Sequence, residues 1–314
     1  MAFDVSALTN YTKENEALLV TSSVLGAKTA TLIKNAGNVL PGVKSSEKVN
    51  IMDTDAIFQA GGTCGFNASG TTTFSQRTLT VGKIKINESL CPKSLETKYL
   101  QKALPEGSRY DSIAFAADYT DKKTARIAAQ LETALWAGDT ASANVNLNKF
   151  DGLVKLIGSS AIESNNTTYY GTPATSITAA NVVAIVDALY KAIPAQVVAK
   201  DDMTIFVSQD VFRTYTIALK NANMFNYSFD GKADSEFFLP GTSVKVVATP
   251  GLNGINKLYA MRLSNLFLGV DLLDEEANRW ELFFAKEADE VRFVSEFKMG
   301  VQVAFLDEIA SFII

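Results

Sequence analysis

Residues 291–305 read VRFVSEFKMGVQVAF, and this run decides how the rest of the chain is read. Its odd positions are Val291, Phe293, Ser295, Phe297, Met299, Val301, Val303 and Phe305, while the even ones include Arg292, Glu296, Lys298 and Gln302. Alternation with period two puts one row of side chains in a core and the other in solvent. Fully extended, the run spans about 50 Å at ~3.3 Å per residue, where an ordinary strand has about 5–6 residues. Gly300 is the place where it could bend into two. A strand this long predicts an elongated protein rather than a compact enzyme.

Working outward, residues 111–136 carry the strongest helical signal. Ile113, Ala117, Thr120, Thr124, Ile127, Leu131 and Leu135 recur at spacings of three and four between charged and amide residues, the pattern of one buried helical face. The helix would run ~39 Å, with Gly138 just past its end. Residues 46–91 read as a long hairpin. Two arms rich in Val, Ile, Thr and Phe, 47–58 and 71–90, flank the glycine-heavy tip GGTCGFNASG at 61–70. Leu79 and Val81 share one face, and Ile84 and Ile86 take the other parity across Gly82, which predicts a bulge or twist there. A bare two-stranded ribbon is marginal in water, so it needs cover from its own chain or from another copy. Phe58, Phe66 and Phe74 are the apolar side chains placed to dock.

Residues 1–45 read as an arm, with apolar positions from Leu18 to Ile33 interrupted by Gly26 and followed by the breaker-rich NAGNVLPGVKSS. Past the long helix, FDGLVKLIG (150–158) reads as a strand. Thr178 is a candidate N-cap for a second helix that buries Val182, Ile185, Val186 and Leu189 and stops at Pro194. Residues 203–208 form a short buried strand leading into a helix over 209–220. After the polar stretch 221–236, strands are expected at 244–248, 258–263 and 266–270. Alternating strands and helices indicate an α+β or α/β layer.

Composition narrows function more than any motif does. The chain has 314 residues, 47% of them hydrophobic and 20% charged, with a net charge of −5 and no histidine. A chain without histidine has no Ser-His-Asp or Cys-His pair, no HExxH zinc site and no Cys2His2 finger. The acidic balance argues against sequence-specific nucleic-acid binding. No phosphate-binding glycine loop is present, and no apolar run approaches the ~18 residues of a membrane span. Asp53, Asp55, Asp201, Asp202 and the cluster Asp274-Glu275-Glu276 lack the spacing of a calcium loop. Trp136 and Trp280 read as core or interface residues. No catalytic, cofactor-binding or metal-binding residue is assigned. Cys64 and Cys91 are expected to be reduced: with a turn near 67–70, opposing residues sum to roughly 138, which sets the two most of a strand apart.

This order of parts (arm, glycine-tipped hairpin, long helix, inserted α/β layer, long terminal strand) resembles the major capsid proteins of tailed double-stranded DNA bacteriophages, the Hong Kong 97-type fold. Locally, NKFDGLVKLI (148–157), MTIFVSQDVFRTY (203–215) and LPGTSVKVVATPGL (239–252) are similar to strings at the same places in such proteins. The resemblance implies an α+β fold with an N-terminal arm (1–45), an extended loop (46–92), a peripheral domain in two parts (93–173, with a spine helix at 111–136, and 259–314) and an axial domain (174–258). It implies a non-enzymatic shell protein of the virion. Such a protein forms pentamers and hexamers of an icosahedral head in the host cytoplasm, with DNA enclosed rather than read. A separate scaffolding protein, a portal and decoration proteins are the expected partners, with no membrane and no cofactor. Some members fuse subunits through a lysine in the extended loop, and Lys83 and Lys85 lie in that segment. Asn223, Asn226, Asp230, Gly231 and Asp234 are expected in a loop at the capsomer axis. An encapsulin-like nanocompartment shell shares the fold and is the alternative; a carboxylate-dependent glycan hydrolase or an adhesin is the alternative from another class.

Overall fold

The computed structural model describes residues 16–59, 61, 65–66, 68–91, 112–222, 236–271, 279–288 and 290–314. The alternating run forms β12 (Glu290–Val303), one unbroken strand with Val291, Phe293, Ser295, Phe297 and Met299 buried. Gly300 does not bend it. The residue is glycine because a Cβ there would collide with the carbonyl of Thr80, so it sets an approach between strands rather than a break.

Around β12 lies a sheet in the order β1 (Val39–Pro41), β10 (Leu266–Val270), β12, β11 (Arg279–Ala285), with β4 (Gly82–Leu90) on the other edge of β12. β4 runs antiparallel to β12 with Leu90 opposite Val291 and Gly82 opposite Met299. The inner face of this sheet packs under the helix α3 (Ser112–Ala137), the long helix expected from the sequence. Its Ile127, Leu131, Leu135 and Trp136 share one core with Trp280, Phe293 and Phe297, and both tryptophans are fully buried.

Two short helices, α1 (Glu16–Leu25) and α2 (Lys28–Asn35), brace the same core through Leu19, Val24, Ala27, Ala30 and Ile33. The N-cap residue of α2, Ala27, has no capping side chain. The cap comes instead from α3. The buried Glu132 carboxylate accepts from Thr29 N at 2.8 Å and from Thr29 Oγ1 at 2.6 Å, and Trp136 Nε1 donates to the same hydroxyl at 2.8 Å. Burial pushes the Glu132 carboxyl above its usual range, against the bonds from Thr29 and Trp136 and the charge of Lys28. Its placement at a helix N-terminus favours the anion.

The expected strand at 150–158 is instead the short helix α4 (Leu153–Ile157). Apolar residues on both parities fit either state, and the flanking glycines decide it. Gly152 leaves room against the backbone of Trp136 and Gly138, and Gly158 turns the chain out at φ 53°.

The second layer is a six-stranded sheet with the order β5 (Ile162–Glu163), β13 (Ala310–Ile313), β9 (Lys257–Arg262), β6 (Met203–Val207), β8 (Lys245–Ala248), β7 (Glu236–Phe238). It is covered by α5 (Val182–Ala192) and α7 (Gln209–Asn221), with the four-residue helix α6 (Ala195–Val198) between α5 and β6. The expected strand and helix at 203–220 and the buried face of α5 agree with the structure. Thr178 is not the cap residue; it starts a turn in which Asn181 Oδ1 accepts from Thr178 N at 2.7 Å, and the helix begins at Val182. Ser208 does cap α7, accepting from Val211 N at 3.2 Å.

The remaining pair, β2 (Ser46–Thr54) and β3 (Thr72–Thr80), is an isolated two-stranded ribbon. Its register runs from Ser46 opposite Thr80 to Thr54 opposite Thr72, a constant sum of 126 rather than 138. The register is thus shifted from the expected one, and the outermost pair of the ladder is Thr54 with Thr72. The second arm also stops earlier than expected. At Gly82 the chain leaves β2 for β12, and the residue is glycine because a Cβ there would strike the Lys149 carbonyl. The parity slip at Gly82 marks a hand-over between two sheets, not a bulge within one. Cys64 and the cluster Asp274-Glu275-Glu276 lie outside the described residues; Cys91 is exposed at the end of β4.

Candidate assembly interface

The ribbon is rooted firmly and then left bare. At its base Val49, Ile51, Leu79 and Val81 form a small core with Val43 and Ala304. Gln302 Nε2 donates to the Thr78 carbonyl at 2.7 Å, and Val81 N donates to the Ser45 carbonyl at 3.0 Å. Gly269 leaves the space that the Leu79 side chain fills. Beyond Ile51 the burial ends. Phe58 is 99% exposed, Phe66 96%, Phe74 76%, Met52 60% and Ile57 56%.

Large apolar side chains exposed in this number on one hairpin are more than the scattered apolar residues of an ordinary surface and make it the candidate interface. The three phenylalanines singled out from the sequence are therefore gathered on one ribbon. Met52 and Ile57 were not singled out. Their signal was present, since Met52 sits directly across from Phe74, but it emerges only once the register is known.

Lys83 and Lys85 lie not on the ribbon but on β4, with their side chains on the outward face of the main sheet. Lys85 pairs across the strand with Glu296 at 2.7 Å, an exposed contact that contributes about 0–1 kcal/mol. Lys83 stands opposite Lys298, whose ammonium turns away to the buried Asp271 at 2.6 Å. β4 itself is pinned from the inner side. Glu88 accepts from Tyr119 Oη at 2.8 Å and from Lys123 Nζ, while Tyr119 packs edge-on to Phe293. Burial pushes the Glu88 carboxyl up, but the bonds from Lys123 and Tyr119 more than offset this and hold it below the usual range. The long helix α3 and the strand leaving the ribbon are thereby tied together.

Asn223, Asn226, Asp230, Gly231 and Asp234 lie outside the described residues. Among the described residues no group of three or more His, Cys, Asp or Glu side chains is placed to hold a metal ion. In the described part no helix is long and apolar enough to cross a membrane. A shallow cleft of about 410 Å³ beside α5 is lined by Tyr169, Tyr170, Thr172, Ala184, Asp187 and Lys191; no catalytic role is assigned to it.

No protein-family model matches the chain, and no curated protein matches it in sequence. Solved structures do match in fold. A chain of the satellite phage P4 procapsid, determined with the size determination (Sid) protein, superposes with a TM-score of 0.60 at 12% identity, covering 99% of this chain and 91% of its own. A chain of the cyanophage A-1(L) capsid asymmetric unit gives 0.56 at 15% identity, covering 91% and 92%. A chain of the empty GTA particle capsid gives 0.53 at 13%, covering 93% and 89%. The chain thus has the α+β fold of phage capsid chains over nearly its whole length, and the resemblance drawn from its order of parts holds at the level of fold.

Proposed function

We propose that this chain is the major capsid protein of a tailed double-stranded DNA phage, a structural subunit that forms the pentamers and hexamers of an icosahedral shell. The whole-length likeness to the P4 procapsid chain carries the reading. The exposed aromatic ribbon supports it, because the element needs cover that the described residues do not give.

In this reading residues 1–45 are an arm and 46–92 are the loop reaching a neighbouring subunit, with 93–173 and 259–314 as the peripheral domain. Residues 174–258 form the axial domain, and Asn223, Asn226, Asp230, Gly231 and Asp234 lie toward the capsomer axis. Phe58, Phe66, Phe74, Lys83 and Lys85 belong to the intersubunit interface. DNA is confined by the wall rather than recognised by it, in keeping with a net charge of −5. Assembly takes place in the host cytoplasm with separate scaffolding, portal and decoration proteins.

Deleting residues 60–72 tests the reading. The subunit should keep a cooperative melt while negative-stain micrographs lose closed shells. Normal shells from the deletion would refute it.

A further inference from the structure

The turn between Leu252 and Ile255 makes two demands on the sequence. The first backbone N–H groups of α7 have no carbonyl within the helix to bond. The Ser208 hydroxyl accepts from Val211 N, and the Gln209 N–H goes to Asn253, whose Oδ1 accepts it at 2.9 Å. One residue on, the chain turns toward β9 with Gly254 at φ 79°, where any side chain would be strained. Cap and turn thereby set side by side Asn253 and Gly254, the single Asn-Gly step in the sequence. That pair is chemically labile. With no side chain on the following residue, its backbone nitrogen is free to reach the asparagine Cγ and close a succinimide ring.

Both residues are exposed, and among the described residues Gly254 N donates to no acceptor. What is lacking is alignment. Reaction needs the attacking nitrogen close to Cγ and aimed at it, which means turning it to the Cβ side of the Cα–C bond. At ψ 131° it is turned away. Two contacts hold it so: the Gln209 N–H fixes the side-chain oxygen, and the preceding turn Pro250–Leu252 is seated on α3, where a Cβ on Gly251 would collide with Trp136 and the Glu132 carbonyl. Asp151-Gly152 is open to the same ring closure by sequence, but there Gly152 is buried and its N–H donates to the Gly138 carbonyl at 2.9 Å.

We propose that Asn253 is a latent deamidation site, guarded by its bond to α7 and converted only when the 253–254 turn lifts off that helix. The step balances with water as the one co-reactant. Gly254 N bonds to Cγ, its proton leaves with the side-chain nitrogen as ammonia, and water then opens the imide to aspartate or isoaspartate. Neither product reverts to asparagine. Aspartate puts a full negative charge at the N-terminus of α7, where an anion is favoured. Isoaspartate lengthens the backbone by a methylene beside a left-handed glycine and spoils the turn. Product therefore accumulates with the fraction of time that the turn is open, and the site records that opening.

The test incubates the full chain in mildly alkaline buffer and follows the tryptic peptide Val246–Lys257 by chromatography and mass spectrometry, against synthetic peptides with aspartate or isoaspartate at 253. The chain unfolded in guanidinium chloride should convert at Asn253, and the folded chain at least roughly tenfold more slowly, since local opening is a minority state. Asn256, in the same peptide but followed by lysine, should stay unchanged in both. Gln209→Pro removes the guarding N–H at the helix position that best accepts proline, after a Ser208 already extended at φ −71° and ψ 161°. In the folded variant conversion should rise by roughly fivefold, the factor that the net contribution of one hydrogen bond supplies, with no change when unfolded. Equal rates in the folded and unfolded parent would overturn the guard, and so would a folded Gln209→Pro no faster than the parent. Absence of conversion at Asn253 in the unfolded chain would overturn the site itself. Should Gln209→Pro lose its cooperative melt, the ratio of the parent's folded and unfolded rates decides alone.

Discussion

Replacing Thr29 by Val isolates the polar relay that holds the first two helices to the long one. Valine keeps the shape of threonine and the backbone bond from residue 29 to Glu132, but it removes the hydroxyl that joins Trp136 Nε1 to the carboxylate. Glu132 then loses the bond from the Thr29 hydroxyl at a site only 2% exposed, and the indole N–H loses that hydroxyl as acceptor. A buried polar group without its partner costs ~1–3 kcal/mol, more when charged, so the two together amount to about 3–5 kcal/mol. At ~2.1 cal/mol/K per residue, a chain of 314 residues melting as one unit has an unfolding entropy of roughly 0.7 kcal/mol/K. The melting point should therefore drop by about 4–7 °C.

Thr29→Ser keeps every bond and removes one methyl group, a loss of about 1 kcal/mol, and serves as the control in scanning calorimetry. Acidification adds a second readout. Burial raises the Glu132 carboxyl in the fold, so the cost of holding the anion is present in full above the folded pKa and declines as pH falls from there to the ordinary carboxylate value. The valine variant bears more of that cost, and its deficit should narrow in acid. Equal melting of the valine and serine variants at pH 7 would refute the relay.

Three other outcomes follow from the same structure. Gly300→Ala sets a methyl group against the Thr80 carbonyl and should destabilise the subunit by roughly 1–3 kcal/mol through overpacking, measurable by urea denaturation; an unchanged midpoint would show that the strands can part there. Gly82→Ala meets the Lys149 carbonyl and should cost a similar ~1–3 kcal/mol, with the added mark of faster proteolysis at the ribbon base; resistance equal to the parent's would refute the close approach. For Asp202, burial pushes the carboxyl up, but bonds from Ser264 and Arg262 more than offset this and hold it below the usual range. Its stabilising contribution is present above the ordinary carboxylate pKa of ~3.9 and lost as pH falls through the lower folded value. Asp202→Asn should therefore melt lower than the parent at pH 7 and converge with it below about pH 4; a gap independent of pH would mean that the charge is not what holds Arg262.

Legibility in the sequence followed how local the cause was. The alternation at 291–303 and the spacing at 112–137 appear because one buried face imposes its own period on the residues that form it. The hairpin was visible for the same reason, yet its register was not, since the tip offers turn-forming glycines at 61, 62, 65 and 70 and local preference does not choose among them. Gly82 showed as a slip in parity, but the carbonyl of Lys149 that requires it is 67 residues away in the chain. FDGLVKLIG was misread because its apolar residues suit both periods and the deciding contacts are backbone against backbone. Of the interface, the exposed phenylalanines could be named from composition alone, while Met52 became visible only through its opposite number on the other strand.

The cap of α2 has a consequence for biosynthesis. Residues 28–35 reach the ribosomal exit well before Glu132, 103 positions downstream of Thr29, is synthesised. At ~5–20 residues per second the wait is about 5–20 s. β1 waits longer still, since Val39 pairs with Leu268. The segment from Lys28 to Pro41 is thus made early and settles late. During translation the nascent N-terminus has an uncapped helix and an unpaired strand, and its apolar residues Leu19, Val24 and Ile33 have no core to enter. The subunit is complete only once residues 268–270 have been made and lie beside residues 39–41.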